Sequence, residues 1–257
     1  MGTQTATGTE IAPTPPASEA ASIPAPSTRA IDGNHRSSIR ATPPGVLVGL
    51  TGADFALLAT DSRMLHEHEG AVRIDDSLEK VTVTTSALLA WAGPPELAER
   101  ALGSGALEPG QGRRVGYSDA AKLAEQLAAA HTAAVIARRR PLATAAMVAG
   151  TDSSGRPTIW FLQHAMAFSP IATPATAQAP HPSAAYLIEQ YWSPAISRAG
   201  ALRLAVAVVT ATASVNSAAG GPIRAALLDA DGPRLIDVDR ACSAWAEQSD
   251  RMKELFA

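Results

Sequence analysis

From Gly45 onward the chain alternates short apolar runs with turn clusters. Val46, Val48 and Leu50 fall on one side of an extended segment, and Leu47 and Gly49 on the other. This near-continuous apolar pattern is that of a strand covered on both faces. Thr51-Gly52-Ala53-Asp54 is a turn cluster and residues 55–60 form a second apolar run, so 46–60 predicts a β-hairpin. Asp61-Ser62-Arg63 stands at its end. Residues 64–78 are mostly polar and charged and read as a loop. Residues 80–85 alternate as a strand, and 87–92 form another, ended by Gly93-Pro94-Pro95.

Two helices follow in this reading, a short one over 96–102 and a long one over 118–138. Ser118-Asp119 can cap the long one, and Ala120, Leu123, Leu127, Ala130 and Ala134 recur on one helical face. Arg138-Arg139-Arg140 sits where cations favour a helix C-terminus. Residues 145–150 and 157–162, on either side of the turn at Asp152-Ser-Ser-Gly155, predict a second hairpin. Residues 167–182 are rich in Pro, Ala and Thr and read as a long loop. Helices are predicted over 184–196 and 201–215. A last hairpin is predicted over 223–228 and 233–237, and a closing helix over 238–256. Hairpins imply antiparallel sheets, and the helices between them imply helical layers on both sides.

Residues 1–44 differ: 27 of the 44 are Pro, Ala, Ser or Thr, and the first aromatic residue is Phe55. Such a segment cannot bury enough apolar surface to offset ordering entropy, so it reads as a disordered tail or a removable propeptide. Residues 45–257 read as one folded domain, within the size range of single domains. A net charge of −3 with no basic stripe argues against a nucleic-acid partner. The one cysteine, Cys242, excludes a disulfide framework and a multi-cysteine zinc site. It reads as a buried small residue of the last helix. No apolar run reaches the roughly 18–20 residues of a membrane span, and no signal-peptide pattern opens the chain. The expectation is a cytoplasmic protein with no membrane partner. Among the six histidines only His66-x-His68 has metal-like spacing, in a segment read as solvated loop, so no metal and no cofactor is expected. Trp91, Trp160, Trp192 and Trp245 read as core or subunit contacts.

The order of elements and several local words resemble the proteasome β-type family of N-terminal-nucleophile hydrolases. The words are Gly45-Val-Leu-Val-Gly-Leu50 and Phe55-Ala-Leu-Leu-Ala-Thr-Asp-Ser-Arg63. After them come Lys80-Val81, Ala92-Gly93 with Glu96, and Ala149-Gly150-Thr-Asp152. Asn216-Ser-Ala-Ala-Gly-Gly221 then precedes Ala226-Leu-Leu-Asp-Ala-Asp-Gly232. The resemblance spans about residues 45–245 and is nearest to the actinobacterial members. It implies an α+β fold, a four-layer αββα sandwich of two antiparallel sheets between helical layers. In that family an N-terminal threonine, freed by self-cleavage, attacks the peptide carbonyl while its own α-amino group serves as base. An α-amino group titrates near pH 8, which suits that role. A lysine keeps the site electropositive and an aspartate holds the lysine.

Carried over by position, the aspartate matches Asp61 and the lysine matches Lys80, one of three lysines against 18 arginines. Counted back from Asp61, the nucleophile position falls on Gly45, which has no hydroxyl. Thr42 is the other candidate, exposed by cleavage after Ala41. It sits three residues early, behind Pro43-Pro44, which stiffens the chain. The family's second aspartate falls on Asn216, and the hydroxyl residue before its Gly-Gly falls on Ala219. Its further serine has no good match, although His181-Pro182-Ser183 lies nearby. The resemblance therefore implies a catalytically degenerate proteasome β-like subunit with a structural or regulatory role, in self-assembly or with ring partners. An active self-processing threonine peptidase and a stand-alone binding protein, using the 167–182 loop, remain the alternatives.

Overall fold

A computed structural model describes residues 45–68, 71–93, 97–98, 117–138, 144–162, 171–179 and 182–255, all within the compact unit 40–257. The segment 1–44, with Thr42, lies outside the described residues, as do His181 and His164. Of the short helix expected over 96–102, Leu97 and Ala98 are described, helical and buried.

The protein is mixed α and β with antiparallel sheets. Strands β1 (Leu47–Thr51), β2 (Ala56–Thr60), β10 (Ala175–Gln178), β11 (Arg224–Asp229) and β12 (Gly232–Ile236) form one sheet in the order β10-β1-β2-β11-β12. Strands β5 (Val81–Val83), β6 (Leu88–Ala92), β7 (Ala145–Thr151), β8 (Pro157–Leu162) and β9 (Ile171–Thr173) form a second, in sequence order. The described helices are α1 (Tyr117–Arg138), α2 (Ser183–Tyr191), α3 (Arg198–Val215) and α4 (Asp239–Leu255).

The two-residue period of the strands sorts their side chains into separate cores. Val46, Val48 and Leu50 pack with Leu57 and Ala59 of β2 and with Leu204, Ala205 and Val208 of α3. Leu47 and Leu58 point the other way, against Leu88, Met147 and Ile159 of the second sheet. That sheet's far face carries Leu89, Trp91, Val148 and Trp160, packed on Leu123 and Leu127 of α1. Burial on both faces explains why these strands read as continuous apolar runs rather than as an alternation.

Two expectations are corrected. Residues 64–78 are not a loop: Met64–His68 (β3) pairs with Ala71–Asp75 (β4) in a two-stranded sheet, with Leu65 opposite Ile74. Ile74 is 54% exposed. A ribbon not enclosed in a core carries charged residues on its strands and imitates a loop in sequence. Residues 167–182 are not one long loop either, since β9 edges the second sheet and β10 edges the first. Pro174 alone separates them. Proline is tolerated at such edges because no ladder bond is lost there.

Helix limits also move. The helix expected over 184–196 ends at Tyr191, where Trp192 turns extended and donates its Nε1–H to the carbonyl of Thr51 at 2.9 Å. The next helix starts at Arg198, earlier than expected, because Ser197 accepts from the Gly200 amide and caps it. This helix, α3, is the one described element with the length and apolarity of a membrane span. Its apolar residues are largely spent on the core, with Leu204, Ala205, Val206, Val208 and Val209 buried.

Candidate functional site

Strand pairing brings three distant parts of the sequence together at the start of β1. Because Leu47 pairs with Thr60, the residues just outside the ladder, Val46 and Asp61, also face each other. The Val46 amide donates to Asp61 Oδ1 at 2.9 Å. Lys80, at the entrance to β5, places Nζ 3.1 Å from the same oxygen and also donates to the carbonyl of Arg63. The other carboxylate oxygen, Asp61 Oδ2, accepts the Gly220 amide at 2.9 Å. The Asp61 and Lys80 side chains are 0% and 1% exposed.

Burial pushes the Lys80 ammonium below its usual range, and the neighbouring Asp61 carboxylate restores only part of that. The Asp61 carboxylate thus accepts two backbone amides and an ammonium, which satisfies a buried charge in the way such charges require.

The loop after α3 closes over this pair. Asn216 Oδ1 accepts the Ala218 amide, and the Gly220 carbonyl accepts the amides of Ser62 and Arg63 at 3.2 and 3.0 Å. The Arg63 guanidinium makes a two-point contact with Asp76, at 2.8 and 2.9 Å, and reaches the carbonyls of Ser217 and Ala219. This pairing raises the Arg63 pKa and lowers that of Asp76. Gly220 has φ +150°, and a Cβ there would stand 2.6 Å from Arg63 Cζ. A side chain at position 220 would have to displace the Arg63 guanidinium from its place against the loop.

Gly45 sits against the same pair. Its φ is +98°, a conformation that side-chain-bearing residues rarely adopt. A Cβ built on it would lie 2.6 Å from Lys80 Nζ and 2.7 Å from Asp61 Oδ1. The space in which a side chain at position 45 would begin is occupied by the ion pair itself.

No protein-family model matches the chain, and no curated protein is detectably similar to it in sequence.

Of the residues singled out from sequence, Gly45, Asp61 and Lys80 come together. Asn216 acts within its own loop, and Ala219 is buried beside it. Sequence reasoning passed over the Gly220 amide and Asp76. The Gly-Gly word was visible, but its bond to Asp61 spans 159 residues and no local pattern reports it. Asp76 fell in the segment read as loop. Among the described residues no group of three or more His, Cys, Asp or Glu could hold a metal ion. Cys242 is partly buried in α4, its thiol pushed up by burial and then by Asp239 and Asp237.

Among the described residues the site is a buried charged pair, and the two hydroxyls flanking Asp61, those of Thr60 and Ser62, are spent on the backbone carbonyls of Asp61 and Asp76. Residue 45 supplies no hydroxyl, and the lysine amine is enclosed and donates to Asp61 Oδ1 and to the Arg63 carbonyl. The arrangement holds the start of β1, the end of β2, the entrance to β5 and the loop after α3 in one place.

Proposed function

We propose that this chain is a catalytically inactive relative of the proteasome β-type subunits, with a four-layer αββα N-terminal-nucleophile fold, acting as a structural or regulatory part of a ring assembly. The observation that carries the reading is Gly45. The residue at the nucleophile position has a left-handed φ, and the Lys80–Asp61 pair fills the volume its Cβ would need. The retained pair and the opposed sheets support the kinship. The missing hydroxyl supports loss of that family's peptidase chemistry, in which nucleophile and base belong to one residue.

The test is intact mass, fluorogenic peptide turnover and native mass on one preparation of the full chain. The reading expects an uncut chain, no turnover above buffer, and a native mass that is a multiple of the subunit. A new N-terminus at Thr42 with peptide hydrolysis would establish the active peptidase instead. An inactive monomer at every concentration would overturn the assembly role and favour a stand-alone binding protein.

A further inference from the structure

The two large sheets meet differently on their two flanks. On one, Pro174 carries the chain directly from β9 to β10. On the other, β5 and β12 are both edge strands. An edge strand presents unpaired backbone groups along its outer side. At this second flank lies a cavity of about 530 Å3, within the roughly 300–1,000 Å3 of typical ligand sites.

The cavity has an apolar floor and a charged rim. Val81, Ile223, Ala225, Ile236 and Val238 line it. Leu235 of β12 also lines it and is 60% exposed, so an apolar side chain stands at the strand edge beside the cavity. The rim holds three carboxylates, Glu79, Asp237 and Asp239, against one guanidinium, Arg224, and all four residues are exposed. The field of two of these acids is felt inside, since Asp239 and Asp237 add to burial in raising the Cys242 thiol on the cavity wall.

We propose that this cleft binds an extended segment of another polypeptide, with apolar residues alternating with basic ones, laid along β12. Backbone pairing to the strand edge gives the segment its register, the apolar side chains enter beside Leu235, and the basic ones meet the acidic rim. This is the strand-addition mode of peptide recognition, in which main-chain bonds supply affinity and alternate side chains supply selectivity. The inference does not rest on the reading of Asp61 and Lys80, and it holds for a catalytic or a non-catalytic chain alike.

The test uses fluorescein-labelled Arg-Val-Arg-Val-Arg-Val against the full chain, followed by fluorescence anisotropy. Saturable binding is expected, weakening as salt rises through the screening range. The charge-swapped probe Glu-Val-Glu-Val-Glu-Val should not bind. Leu235→Asp, and the pair Glu79→Gln with Asp237→Asn, should each weaken binding by about tenfold. These side chains are exposed, so the variants should keep the parent melting temperature. Probes N-methylated at alternate residues, in both phases, separate backbone pairing from simple charge attraction: one phase should lose binding. Absence of saturable binding, equal binding of the acidic probe, indifference to the variants, or full binding of both N-methylated probes would each overturn the proposal.

Discussion

Gly45 faces Lys80 so closely that a single added carbon would stand 2.6 Å from Nζ. Gly45→Ala therefore meets two costs, a left-handed φ of +98° and a contact that forces the ion pair apart. Together they should destabilise the fold by about 2–4 kcal/mol, read from urea denaturation. A loss near zero would show that the backbone at 45 is not held in this shape. Gly45→Thr should be at least as unstable and should gain no peptidase activity.

Asp61→Ala removes the partner of a buried ammonium and the acceptor of the Val46 and Gly220 amides. Loss of one member of a buried pair costs about 3–5 kcal/mol. The double variant Asp61→Asn, Lys80→Met buries no charge and should be less destabilised than Asp61→Ala. Equal losses would mean that the charge is not the source of the effect.

The same pair has a pH signature. The Lys80 pKa in the folded state lies below its ordinary 10.5. Between the folded value and 10.5 the unfolded chain binds more protons, so this group's contribution to stability rises with pH in that window. The stability of the parent relative to Asp61→Asn, Lys80→Met should therefore increase toward pH 10. A flat difference would contradict the burial of Lys80.

Asp229 behaves in the opposite sense. Its carboxylate is enclosed and accepts from both Arg234 Nη atoms at 2.6 and 2.7 Å, and from Arg198 at 2.7 Å. Arg234, with some help from the backbone, holds its pKa down to about 2, against an ordinary 3.8. A depressed carboxylate contributes stability that is complete above its unfolded value and disappears as pH falls through the folded one. The advantage of the parent over Asp229→Asn should thus be constant above about pH 5 and shrink between pH 4 and pH 2, as followed by urea midpoints. An advantage unchanged at pH 2 would remove the Arg234 contact from the account.

Gly150 on β7 lets α1 approach the second sheet: a Cβ there would fall 2.2 Å from the Cβ of Ala120. Gly150→Ala should cost about 1–3 kcal/mol, and Ala120→Gly in the same chain should recover part of it. A double-mutant cycle in calorimetry measures that coupling, and strictly additive effects would count against the contact.

The hairpins β1–β2 and β7–β8 were legible because burial writes them as apolar runs between turn clusters, and β11–β12 because the turn cluster at Asp229-Ala-Asp-Gly232 separates its buried strand from its half-exposed edge strand. Strands β3, β4, β9 and β10 were not. The first two are charged and lie outside the main cores, and the last two are short edges of Ala, Thr and Ile beside a proline. Asp61, Lys80 and Gly45 could be marked by the Asp-Ser-Arg word and the family pattern it resembles. What seals them could not. The Gly220 amide reaches Asp61 from across the sequence, and the left-handed turn at Gly45 is set by neighbours that no window around residue 45 contains.

The passage from β9 to β10 through Pro174 gives the two sheets a bound spine, like the covers of a book. Along the spine they cannot part without stretching the main chain, and the Pro174 carbonyl there also accepts both the amide and the hydroxyl of Thr51. At the fore-edge, β5 and β12 share no ladder bonds. There the sheets are joined instead through side chains, by the Lys80–Asp61 pair at the entrance of β5, so amide exchange is expected to be faster along this margin than along the spine.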